Sequence, residues 1–476
     1  MSRFLPAPGH AAPAARIDGA ALDGTPHELP HPASGDTLAT VGWADAACAD
    51  EAVEAASRAL PGWRATSPRK RAAALRAIAA SLREHAEDLA ALVSAESGKR
   101  LVEARGEVEF SAHYFDWFAD AATQLQPGGF VSDQRRFSTF REPVGVVAAV
   151  NPWNFPLSIP ARKVAPALAA GCTVVQKASE LTPLSSLVLT ELAEEHLPTG
   201  ALGVLVGDGA ALTPALVDHP DTAAVSFTGS TRVGVSVAEL AARSLTRTVL
   251  ELGGKAPFIV TDRADPQVAL EALLVAKFRN NGASCIAANN VFVHRSRYDE
   301  VVSALRERVP QLVNGDPADP ATDLGPLLRA EHVARLEKLV DLAAADDCPV
   351  YRCTIEHLPG FHHPATLVEL TGDTGLWHEE IFGPVLAVRP YDDEDAVVEE
   401  VNGWRYGLGG YVCSADTEQA HALAERLRIG IVGINNGAPN TPEVPFGGFG
   451  WSGLGREGGL SGLLEFTAER TVSQAR

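Results

Sequence analysis

Val144-Gly145-Val146-Val147-Ala148-Ala149-Val150-Asn151-Pro152-Trp153-Asn154-Phe155-Pro156 is the stretch on which the fold turns. Its first half has no polar side chain, the pattern of a strand buried on both faces of a parallel sheet. Asn151 is a polar exit, and two prolines bracketing Trp-Asn-Phe fix a rigid loop after it. Open α/β sheets place their ligands at such strand ends. Taken alone, the same residues also suit a plain tight turn.

Downstream, strands and helices alternate. A helix over 159–170 is closed by Gly171, with Pro160 in its first turn and a kink expected at Pro166. A second buried strand, 172–176, runs into Lys177-Ala178-Ser179-Glu180. A lysine and a carboxylate at that spacing can both reach the hydroxyls of a ribose, and the carboxylate repels a 2′-phosphate, which favours NAD over NADP. A solvated surface pair is the alternative. Strands over 201–206 and 223–227 follow, the second leading into Thr228-Gly229-Ser230-Thr231 and a helix to about 243. Small residues at a helix N-terminus suit a pyrophosphate. Complete GxGxxG strings occur only at 448–453 and 453–458, where no buried strand leads into the glycines, so they are not read as dinucleotide sites. Thr248-Val249-Leu250-Glu251-Leu252-Gly253-Gly254-Lys255 gives a strand with a carboxylate at its exit, an ordinary surface carboxylate being the alternative.

Upstream lies an accessory frame. Apolar residues recur at helical spacing over 46–60, 68–96 and 101–124. Tyr114, Phe115, Trp117 and Phe118 crowd together and read as core, with no chemistry assigned. Residues 135–143 read as an extended arm after Pro127-Gly128-Gly129.

Past these units stands Phe278-Arg279-Asn280-Asn281-Gly282-Ala283-Ser284-Cys285-Ile286-Ala287-Ala288, a single cysteine among small residues. Small neighbours let a substrate approach a thiolate closely. Most cysteines, however, are small buried apolar residues, and this stretch alone does not decide between the two.

The 476 residues, 46% hydrophobic and 21% charged, suffice for two or three domains. A net charge of −20 and a pI near 5.1 argue against nucleic acid or an anionic membrane as partner. Six cysteines without a CxxC pair fit a reduced intracellular setting. The first sixteen residues have no apolar segment like that of a signal peptide, and no apolar run is long enough to span a membrane. A soluble, cytoplasmic protein is expected.

Taken together, the blocks at 152–156, 227–231 and 251–255, with Cys285, resemble the signature blocks of the aldehyde dehydrogenase superfamily. The spacing of Glu251 and Cys285 is similar, and Glu379-Glu380-Ile381-Phe382-Gly383-Pro384 and Pro445-Phe446-Gly447-Gly448 resemble its two late blocks. The resemblance covers nearly the whole chain. It implies an α/β fold with a Rossmann-like NAD-binding domain (1–122 and 144–251), an α/β catalytic domain (252–463) and an oligomerisation arm (123–143 and 464–476), assembled as a homodimer or homotetramer. It implies an aldehyde oxidised through a thioester on Cys285, with Asn154 and the Cys285 N–H as oxyanion donors and Glu251 activating water. NAD, or else NADP, is to be held by Trp153, Lys177, Ser179, Glu180, Gly209, Gly229, Ser230, Thr231, Leu252, Glu380 and Phe382; no metal is implied.

Within the superfamily the chain is most similar to the succinate-semialdehyde dehydrogenase group. Arg162 and Arg279 match positions where that group holds the substrate's far carboxylate, a task suited to a guanidinium fork; an ordinary structural ion pair is the alternative for each. The implied reaction is succinate semialdehyde to succinate, with a general or aromatic aldehyde dehydrogenase as the alternative. Ala283 stands where the family usually has Gln, Gly450 where it commonly has Lys, and Ala287 replaces a second loop cysteine. Residues 438–442 depart from the group's Ser-containing loop. A cysteine hydrolase or a non-catalytic binding protein are the rival classes. The first needs a histidine base, and His219, His294 and His378 sit in no such pattern.

Overall fold

In the computed structural model, which describes residues 2–7, 9–125, 127–355 and 358–476, the apolar run forms the strand Val146–Val150, every side chain of it buried. Val146, Ala148 and Val150 enter one apolar cluster, Val147 and Ala149 the cluster on the opposite face. Such two-sided burial explains the absence of polar alternation. Met1 and Pro8 of the N-terminal stretch, and Gln126 of the arm, lie outside the described residues.

Val146–Val150 pairs in parallel with Thr173–Lys177 on one side and Thr222–Thr228 on the other. Leu202–Leu205 and Arg247–Glu251 extend the sheet outward, again in parallel. The chain therefore reverses its direction of sheet growth beside Val146–Val150. The loop after Asn151 and the turn at Gly229 open at that switch point, where α/β sheets leave a crevice. Ala15–Ile17, Ala20–Leu22 and Gly453–Leu454 complete eight strands. The last pairs antiparallel with Leu250 and Glu251, so part of the segment expected in the second unit closes the first sheet instead. A Cβ at Gly453 would lie 1.8 Å from the Leu250 carbonyl oxygen, so this late glycine serves backbone packing.

A second sheet of seven strands centres on Ala256–Val260, Ala288–His294 and Val385–Tyr391, with its own apolar cluster on each face. A third, antiparallel, joins Gly128–Val131, Arg135–Pro143 and Thr467–Ala475; its outer strands are largely exposed and its middle strand is mostly half-buried.

One helical expectation needs correction. The helix expected over 68–96 is two, Pro68–Glu84 and Ala86–Ser97, because His85 leaves helical geometry at φ −106°, ψ 19°. The helix Ser158–Ala170 continues through Pro166 with every side chain buried, so packing outweighs the lost backbone bond. Among the described residues no helix is long and apolar enough to cross a membrane.

Candidate active site

The loop that carries Cys285, the expected nucleophile, begins where the helix Pro266–Phe278 stops. Asn280 (φ 54°), Asn281 (φ 55°) and Gly282 (φ 73°) are left-handed in succession. Gly tolerates that region because it has no Cβ to clash, and Asn because its short polar side chain hydrogen-bonds locally and offsets the cost. A Cβ on Gly282 would lie 2.2 Å from the Gly383 carbonyl oxygen, and one on Gly254 equally close to that of Cys285. The reversal leaves Cys285 partly exposed where two cavities meet, since it lines both.

The smaller cavity, about 270 Å³, is walled by Phe110, Tyr114, Phe155, Ile159, Ile286 and Phe446 and also takes in Arg162 and Arg279. The two expected arginines thus converge on one space, but in different states. Arg162 is buried, lies over the Phe446 ring at 4.4 Å, and its Nε is 2.6 Å from Glu457. Burial works most strongly against its charge, but Glu457 together with Tyr114, Glu251 and Cys285 outweighs it and holds the guanidinium charged. Arg279 is half-buried and its guanidinium has no partner among the described residues. Tyr114 joins this wall, so the aromatic cluster is not core alone.

The larger cavity, about 830 Å³, lies at the switch point. Trp153, Lys177, Ser179, Glu180, Gly209, Gly229, Ser230, Leu252, Glu380 and Phe382 all line it. Thr231 does not; its hydroxyl donates to the Trp451 carbonyl at 3.2 Å. Lys177 donates to the Glu180 carboxylate, and Glu380 accepts from the Gly254 N–H at 3.1 Å. Sequence reasoning missed His332, stacked on Trp153 at 5.0 Å, and Arg232 and Arg335 on the same wall. His332 and Arg335 lie at no recognisable spacing from the motifs, whereas Arg232 directly follows Thr231 in one of them.

Asn154 is buried and its side-chain Nδ2 donates to the Ala283 carbonyl at 3.0 Å, tying it to the nucleophile loop. Glu251 is buried, and neither carboxyl oxygen has a hydrogen-bond partner among the described residues. Burial first, and then the neighbouring Glu457 charge, hold its carboxyl well above the usual range. Burial also pushes the Cys285 thiol up to about 12, with Arg162 opposing and Glu251 adding to the rise. Glu457 itself is held below the ordinary range: burial raises it, but Lys163 and Arg162 outweigh that. Lys163 and Ser226 both donate to it, the serine at 3.1 Å. This carboxylate was also missed, because charged groups inside apolar surroundings leave no periodic mark. Among the described residues no group of three or more His, Cys, Asp or Glu is placed to hold a metal ion.

A partly exposed thiol between two cavities, an amide donor fixed beside it and a buried carboxyl with raised proton affinity are the parts of a covalent acyl-transfer site. The sequence profile of the aldehyde dehydrogenase family matches residues 21–472. The NADP-dependent succinate-semialdehyde dehydrogenase of Escherichia coli (strain K12) is 38% identical over 95% of each chain. The glutarate-semialdehyde dehydrogenase of Pseudomonas aeruginosa is 37% identical over the same share of each. A crystal structure of an E. coli NADP-dependent enzyme superposes with a TM-score of 0.95 at 36% identity, covering 98% of each chain. The chain belongs to the aldehyde dehydrogenase family, oxidoreductases acting on aldehydes.

Proposed function

We propose that the chain oxidises an aldehyde bearing a carboxylate a few carbons away, succinate semialdehyde foremost, to the corresponding acid. The observation that carries this reading is the unpaired guanidinium of Arg279 in the same cavity as Cys285. A guanidinium fork matches a carboxylate, and the surrounding aromatic and aliphatic walls suit a short carbon chain. The activities named for the E. coli and P. aeruginosa relatives point the same way. A general or aromatic aldehyde dehydrogenase is the second reading, favoured by the commitment of Arg162 to Glu457.

We infer NAD as the preferred cofactor and NADP as the lesser one, because Glu180 on the cavity wall repels a 2′-phosphate. A nucleotide fits the larger cavity: Asn151 Oδ1, Thr228 Oγ1 and His332 Nδ1 are buried there without hydrogen-bond partners among the described residues. Lys177 and Glu180 are suited to the adenine ribose and Gly229 and Ser230 to the pyrophosphate. Glu380 is suited to the second ribose, and Trp153, Leu252 and Phe382 border the nicotinamide. When bound, the nicotinamide supplies the hydride acceptor.

Cys285 attacks the carbonyl carbon as thiolate, forming the C–S bond while the π pair moves to oxygen. The hydrogen of Asn154 Nδ2 not given to Ala283, with the Cys285 N–H, takes up that charge. Once the carbon is oxidised a thioester remains. Glu251 removes a proton from the attacking water, and the C–S bond breaks to return the thiol.

The exposed sheet of Gly128–Val131, Arg135–Pro143 and Thr467–Ala475 displays Phe130, Val131 and Val472, and we infer that it pairs subunits into a homodimer or homotetramer. The acidic charge and six unpaired cysteines suit a reducing cytoplasm. Purified enzyme assayed for NADH formation with succinate semialdehyde, glutarate semialdehyde, butanal and benzaldehyde tests the reading. An equal kcat/KM for charged and uncharged aldehydes removes the carboxylate preference.

A further inference from the structure

We propose that Asn280 is a positioning residue for the reaction: its carboxamide, together with Lys99, locks Asn154 against the nucleophile loop. The inference rests on the assignment of Asn154 as oxyanion donor. Asn280 Nδ2 donates to two main-chain carbonyls, those of Asn154 and Ala283, each at 2.9 Å. Ala283 accepts a second bond, from Asn154 Nδ2 at 3.0 Å. The three residues close a triangle, so Asn154 is held at its carbonyl and at its side chain by the loop that carries Cys285.

Lys99 supplies a further strut. Its ammonium donates to the Asn154 carbonyl at 3.1 Å and to Glu107. The other oxygen of Glu107 accepts from the Leu157 and Ser158 N–H groups at 3.0 and 3.1 Å. The Asn280 N–H donates to Glu103 at 3.0 Å. The helix Leu101–Ala122 therefore braces both the Asn154 loop and the nucleophile loop.

The consequence lies in the direction of one N–H bond. Asn154 Nδ2 has two hydrogens, and fixing one on Ala283 sets the direction of the other. Without the Asn280 amide the Ala283 carbonyl loses a donor and the triangle opens. Neighbouring Asn281 has the same backbone conformation but a different task. Its amide bonds Gly98, Gly325 and Pro326, touching neither Asn154 nor Ala283.

That contrast supplies the test. Asn280→Gly keeps the left-handed backbone without strain and removes only the amide; Asn281→Gly is the matched control. Asn280→Gly is expected to lower kcat about 100-fold, the scale of a misplaced reacting group. NAD affinity by fluorescence titration should stay unchanged. Asn281→Gly should lower the melting temperature and keep kcat. In an Asn154→Ala background, itself about 100- to 1000-fold slower, adding Asn280→Gly should cause almost no further loss, because the amide acts through Asn154. If Asn280→Gly no longer binds NAD, Asn280→Asp answers instead: it keeps size and backbone tolerance but turns a carboxylate to two carbonyls, and its kcat should fall as far. Losses that multiply in the double variant, or wild-type kcat in the folded single variant, overturn the role of Asn280 alone. Wild-type kcat in Asn154→Ala sinks the oxyanion assignment as well.

Discussion

At the scale of single residues, the site rests on a thiol that is mostly protonated at rest. Burial pushes it up to about 12 and holds the Glu251 carboxyl high, so both reactive ionised forms gain as pH rises. Alkylation of Cys285 by iodoacetamide in the cofactor-free enzyme should therefore accelerate steadily with pH; a plateau near pH 7 would falsify the resting thiol. Cys285→Ser should abolish NADH formation while NAD binding and the melting temperature persist, and near-normal turnover removes the nucleophile. Arg279→Ala should cost roughly 10- to 150-fold in kcat/KM for succinate semialdehyde and little for butanal, a charged hydrogen bond being worth about 1.5–3 kcal/mol. Arg162→Ala should slow both substrates, since it leaves Glu457 and Glu251 with less compensation. The two arginines looked alike in the sequence. Their spacing from Asn154 and Cys285 was legible, but the partner that separates them, Glu457, lies far along the chain in a segment of glycines. A residue's neighbours in sequence mark its place in a motif and are silent about a distant ion pair.

Among the elements, the parallel strand Val146–Val150 was the most legible, because burial on both faces leaves it no polar residue, whereas its neighbour Thr173–Lys177 buries Thr, Gln and Lys as well. Helix ends within continuous apolar periodicity were not: nothing in Leu82-Arg83-Glu84-His85-Ala86 announces a break by Gly or Pro. The aromatic stripe of Leu101–Ala122 shows the same limit, since one period serves Phe115 in the core and Tyr114 on the cavity wall. One cap carries a pH dependence. Glu96, fully buried, accepts from the Leu184 and Ser185 N–H groups at 2.8 and 2.9 Å, and burial pushes its carboxyl up to about 7. A carboxyl raised on folding binds a proton more tightly in the folded chain. Its contribution is whole below the unfolded value near 4.5 and is lost as pH climbs to about 7. Urea titrations at several pH values should show Glu96→Gln with a shallower fall over that window than wild type. Parallel curves would mean that the carboxyl does not titrate there.

On the scale of the whole molecule, the arm sheet should govern assembly. Val472 is 44% exposed on its outer strand, and Val472→Asp should shift the sedimentation coefficient towards the monomer, whereas an unchanged value rules this strand out of the interface. The position of Cys285, where two cavities meet, sets the traffic through the enzyme. In the proposed assignment, aldehyde and nucleotide reach the sulphur from separate cavities, so neither is expected to leave before the other binds. A small acid that lodges in the narrower chamber should compete with the aldehyde yet leave the nucleotide's dissociation constant untouched. The acid is likewise expected to leave through the narrower chamber while the spent nucleotide is still bound.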